Sequence, residues 1–77
     1  MIGLPTAVIN CIKAYRTWIY LRDVLERTPR KTMARVEAKY LFDQADRTYR
    51  ARRIGLHYPL EQELFRLWLH QNEVDHV

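Results

Sequence analysis

Seventy-seven residues carrying 13 Lys and Arg against nine Asp and Glu, a net charge of +4, make one small basic domain whose partner is expected to be acidic. Nearly half the chain (48%) is apolar, more than a three-helix core of this size hides, so part of that surface is expected to face a partner. No serine is present and there are only two glycines, far apart; this excludes a Ser-His-Asp site and a Gly-rich phosphate loop.

Three prolines, Pro5, Pro29 and Pro59, punctuate the chain at helix-start spacing. The first helix is expected from about Thr6 to Arg27, where Val8, Ile12, Tyr15, Ile19 and Val24 follow a 3.6-residue period and Ile9, Trp18 and Leu25 widen the stripe. Thr28-Pro29 then stops it and reads as cap and first residue of the next helix.

The second helix is expected over about 30–53. Ala34, Ala38, Leu41, Ala45 and Tyr49 form a stripe of mostly small residues flanked by Val36 and Phe42, which lets another helix or a slender ligand approach closely. The rest is charged. From Arg27 to Arg53 there are nine basic residues against Glu37, Asp43 and Asp46. The least compensated are Arg47, Arg50, Arg52 and Arg53, in the last turns, where the helix dipole favours cations.

Gly55 is the expected C-terminal cap, and Pro59 opens a third helix running to about Asn72 with Glu61 and Glu63 in its first turn. Leu60, Leu64, Leu67 and Trp68 form its expected core face, which leaves Phe65 and Leu69 for a partner. Residues 73–77 are expected to be a frayed tail. Short loops favour antiparallel neighbours, so the expected fold is an all-α, three-helix, antiparallel up-down-up bundle in a single domain.

Little in this pattern points to catalysis. Cys11 lies in an apolar helix remote from any histidine and is the only cysteine, so no intrachain disulfide forms. It and His57, His70 and His76 lack metal-ligand spacing. No stretch reaches the roughly 20 apolar residues of a spanning helix. The segment before Asp23 is free of acids and carries Lys13, Arg16 and Arg22, as mitochondrial import segments do.

Ala14-Tyr15-Arg16, followed by Phe42, resembles the mitochondrial LYR family, small three-helix proteins named for a Leu-Tyr-Arg tripeptide in the first helix. Tyr15 and Arg16 match the last two residues of the tripeptide, Ala14 stands where the leucine would be, and Phe42 stands about where the family has a phenylalanine. Arg35 and Lys39 fall in its basic region. The resemblance implies an LYR-like bundle that binds the acidic acyl-carrier protein, with the carrier's acyl chain entering a tunnel between helices. Tyr15, Ile19, Leu41, Phe42 and Ala45 would line that tunnel, and Arg16, Arg35 and Lys39 would meet the carrier's carboxylates. The chain itself would hold no metal and no cofactor beyond the acyl-phosphopantetheine its carrier brings.

The expected function is therefore that of a non-catalytic accessory subunit of a mitochondrial respiratory-chain complex, on the matrix side of the inner membrane. Trp18, Tyr20, Phe65 and Trp68, with Arg50 and Arg53, would contact neighbouring subunits. The alternative is a small RNA-binding protein, such as a mitochondrial ribosomal subunit, supported by an isoelectric point near 9.6 and by the arginines from 47 to 53.

Overall fold

The computed structural model describes residues 3–74. They form three helices, α1 (Thr6–Arg27), α2 (Met33–Ile54) and α3 (Pro59–Val74), packed as a bundle, and no strand occurs among the described residues. None of these helices is long and apolar enough to cross a membrane. Of the tail expected over 73–77, positions 73 and 74 belong to α3, and 75–77, including His76, lie outside the described residues.

Helix α1 is the common element against which both others pack. Val8, Cys11, Ile12 and Tyr15 are buried, and Trp18 and Ile19 continue the same face partly covered. Helix α2 contributes Ala38 and Ala45, both buried, whose small side chains admit α1 closely, with Phe42 and Tyr49 half-buried beside them. Leu41, expected in this stripe, is 47% exposed, and Ala34 and Val36 are exposed too. The core follows the heptad-like steps 38, 42, 45 and 49, which carry the stripe past Leu41.

The bundle is thin. Its radius of gyration is 14.5 Å with extents of 47 × 26 × 19 Å, against about 11–12 Å for a compact chain of this length. The two shorter dimensions are about two helix diameters each, so few residues have neighbours on every side. Among the described residues, only Phe65, Val8 and Cys11 are essentially sealed. Burial raises the Cys11 thiol pKa above its ordinary value, and the nearby Arg53 charge offsets this in part; the thiol therefore stays neutral at physiological pH.

Helix α2 begins at Met33, three residues after the expected start, and its N-cap is Thr32 instead of Thr28. Thr28 closes α1 instead: its N–H donates to the carbonyls of Val24 and Leu25, and its hydroxyl donates to Val24 O at 2.6 Å. That hydroxyl is thus engaged backwards along the chain. Pro29 to Lys31 make the turn, with Lys31 at φ 64°, in the left-handed region. Thr32 then accepts the Arg35 N–H at 3.1 Å and donates to Pro29 O at 2.8 Å.

Arg35 ties the turn together. Its Nη1 donates to Leu25 O at 2.6 Å and to Thr28 O at 3.1 Å, placing a cation on the carbonyl end of α1, where the helix dipole is negative. At the other connection Gly55 is the C-cap as expected. Its φ of −70° is ordinary helical geometry, so the cap does not draw on glycine's conformational freedom.

Helix α3 is rotated from the expected face. Phe65 is 1% exposed and Leu69 is half-buried, whereas Leu60 and Leu67 are 67% and 45% exposed. Two apolar stripes share Leu64 and Trp68, one adding Leu60 and Leu67, the other Phe65 and Leu69. The second prevails because it buries an aromatic ring among Tyr15, Tyr49 and Trp68 at centroid distances of 6.4, 6.3 and 6.1 Å. Phe65 is consequently a core residue and not a surface anchor.

Candidate functional site: an arginine-rimmed aromatic groove

Six aromatic rings meet where the helices converge. Tyr15 lies 5.4 Å from Tyr49, 5.6 Å from Trp68 and 6.0 Å from Trp18 between centroids, and Trp18 continues to Tyr49 at 5.6 Å and to Phe42 at 6.0 Å. The indole of Trp18 is fixed from α2: its Nε1–H donates to Asp46 Oδ1 at 3.0 Å, while Asp46 Oδ2 pairs with Arg50 at 3.1 Å. A part-buried carboxylate with both oxygens engaged holds a tryptophan at the edge of the core without leaving its N–H unsatisfied.

Beside this cluster the α1 and α3 surfaces diverge into an open groove of about 980 Å³. Its floor includes Tyr15, Trp18, Ile19, Trp68 and Leu69, with Tyr49 at one end, and Tyr20 and Asn72 also reach it. Three arginines are laid over the rings around it. The guanidinium of Arg16 sits 5.5 Å from the Trp68 ring, that of Arg22 5.0 Å from Trp18, and that of Arg53 5.2 Å from Phe65. Arg53 also donates to the Tyr49 hydroxyl at 3.1 Å. Stacking of this kind is worth about 0.5–1 kcal/mol at exposed sites and reduces the freedom of a long side chain. Asp23 and Glu26 lie on the same rim, with Asp23 engaged by Arg27 at 3.3 Å.

The groove gathers Tyr15, Arg16, Trp18, Ile19, Tyr20, Arg53 and Trp68 from the residues expected at the two kinds of contact, and merges them into one surface. The remaining expected residues lie elsewhere. Phe42 packs on the far side of Trp18. Ala45 faces a separate cleft of about 280 Å³ with Asn10, Lys13, Thr17, Thr48 and Arg52. Leu41 is exposed and lines no tunnel. Among the basic residues, Arg35 is committed to the α1 carbonyls, Lys39 pairs with Asp43 at 3.1 Å, and Arg50 pairs with Asp46. The cavity therefore opens between α1 and α3, not along the alanines of α2.

Arg22, Tyr49 and Asn72 join the groove without having been singled out for it, and Leu69, expected to face a partner, lines it as well. A signal was present for two of them. Trp18–Arg22 and Tyr49–Arg53 are both aromatic–arginine pairs at i, i+4, the spacing that brings a guanidinium onto a ring on one helix face.

No protein-family model, curated protein or solved structure matches this chain.

Proposed function

We propose that this chain is a non-catalytic accessory subunit that docks on a larger assembly, and that the groove between α1 and α3 receives an acidic partner bearing an apolar chain. In this reading the bundle is antiparallel, up-down-up and LYR-like, and the assembly is a mitochondrial respiratory-chain complex on the matrix side of the inner membrane. The partner at the groove is an acyl-carrier protein.

The observation that carries the reading is the pairing of an aromatic floor with three stacked arginines around one cavity. An acyl chain laid on that floor gains about 0.8 kcal/mol per methylene removed from water. Arg16, Arg22 and Arg53 around the groove would meet a carrier's carboxylates and its prosthetic phosphate, which sets orientation and association rate more than affinity. The antiparallel course is supported by the sequence of contacts: Arg35 of α2 reaches Leu25, Phe42 and Asp46 reach Trp18, and Tyr49 reaches Tyr15.

A second reading, RNA binding, is favoured by one feature. Lys13 and Arg52 flank the smaller cleft with Asn10, Thr17 and Thr48, and Arg47 and Arg52 make no ion pair among the described residues.

Affinity purification of the chain from its native source, followed by intact-mass analysis of what accompanies it, separates these readings. The expected companion is a carrier protein whose mass includes phosphopantetheine and a long acyl group, together with respiratory subunits. Recovery of ribosomal RNA and ribosomal proteins in their place would overturn the accessory-subunit reading.

A further inference from the structure

Helix α2 has two apolar faces, and only one of them is used within the chain. At a helical turn of about 100° per residue, Met33, Val36 and Tyr40 fall within roughly 40° of the line opposite the buried Ala38. Ala51 and Ile54 return to the same line three turns later, with Arg47 between the two groups. Met33, Val36, Tyr40 and Ile54 are 75%, 61%, 62% and 76% exposed. The apolar groups thus form two patches, one at each end of the helix on the side away from α1, with Asp43 and Arg47 between them.

The order of residues along the stripe favours one occupant. It reads apolar, aromatic, acidic, cationic, apolar, the acid being Asp43, which Lys39 of the same helix neutralises, and it carries an exposed acid, Glu37, at its edge. Glu37 and Arg47 are ten residues apart, about 15 Å along the axis, too far to meet on their own helix. A parallel copy would set Arg47 against Arg47. An antiparallel copy, related by a two-fold axis near Asp43 and Gln44, sets Met33 and Val36 against Ile54 and Ala51, Tyr40 against Arg47 and Glu37 against Arg50, with Arg47 less than one turn from Glu37. The neighbouring cations Lys39 and Arg50 are neutralised by Asp43 and Asp46, so they do not repel a second copy as free charges would.

We infer that the outward face of α2 is a self-complementary interface through which two copies of this chain form an antiparallel, two-fold symmetric dimer, leaving a groove open on each. A closed symmetric pair of this kind uses the same patch on both partners, and here the ion pairs fix the direction in which the apolar groups meet.

Sedimentation equilibrium of the full chain should give a mass twice the 9.4 kDa of the monomer. Glu37→Arg and Arg47→Glu should each weaken dimerisation about tenfold or more, because each sets like charges against each other, and the double variant should return to within about threefold of the original. Val36→Glu should yield monomer. All three positions altered are exposed, and an unchanged far-ultraviolet circular dichroism spectrum keeps a folding defect apart from a lost interface. A monomer at every concentration, or a dimer indifferent to these substitutions, overturns the inference. So does a monomer that floats with phosphatidylglycerol vesicles and loses this property in Val36→Glu, since the stripe would then serve a lipid surface.

Discussion

Replacing Phe65 by alanine is expected to cost about 3–5 kcal/mol, the range for removing a buried phenylalanine. Phe65 is 1% exposed, the largest sealed side chain, and it touches rings from α1, α2 and its own helix. With Tyr15 and Tyr49 it forms the aromatic junction through which all three helices share contact. Total stability at about 0.05–0.15 kcal/mol per residue is of the same order for a chain of this length, so the variant should be largely unfolded at room temperature. Leu60→Ala is the control. Leu60 is 67% exposed, and its loss should stay within about 0.5 kcal/mol. Urea titrations followed by circular dichroism give both values. A larger loss for Leu60→Ala than for Phe65→Ala would mean that α3 presents its other stripe to the core.

The second large effect is expected at the groove. Arg16→Glu removes a cation stacked on Trp68 and sets an acid at the mouth of the cavity. Binding of an acidic carrier should fall about tenfold or more, mostly through slower association and with a reduced dependence on salt. The fold should be nearly unaffected, because Arg16 is exposed and makes no ion pair among the described residues. Lys39→Glu should change the same binding little, since Lys39 is paired with Asp43 away from the groove. Equal losses from the two variants would mean that net charge, and not this site, governs the encounter.

How far these features could be read from the chain depends on how many patterns each segment carries. Helix α1 was legible because one apolar stripe, Val8 to Val24, has no competitor, and its bounds fall where Pro5 and Thr28 place them. Helix α3 was not, because Leu60, Leu64, Phe65, Leu67, Trp68 and Leu69 support two stripes about one residue apart; the choice rests on Tyr49 and Arg53, which are distant in sequence. The start of α2 was obscured by two threonines. Thr28 and Thr32 have equal capping chemistry, and which one caps α2 is decided by a hydrogen bond from Thr28 back to Val24 and by the turn at Lys31.

The site shows the same division. Tyr15, Arg16 and Ile19 lie together because they share a face of one helix, which spacing alone establishes. Leu41, Phe42 and Ala45 were grouped with them by the family resemblance, but Leu41 is exposed, Phe42 packs on Trp18, and Ala45 is buried beside only the smaller cleft of about 280 Å³. The cavity opens instead where bulky rings, Trp18 and Trp68, hold α1 and α3 apart. A pattern of small residues marks where helices close, and the large ones mark where they part.

The groove's role is tested most directly by titrating the purified chain with an acyl-carrier protein in three forms: without its prosthetic group, with phosphopantetheine, and with a long acyl chain attached. If apolar burial in the groove supplies the affinity, the acylated form binds about tenfold or more tighter than the other two, and Trp68→Ala abolishes that advantage. Indistinguishable affinities for the three forms, or no binding to any of them, would contradict an acyl-receiving groove.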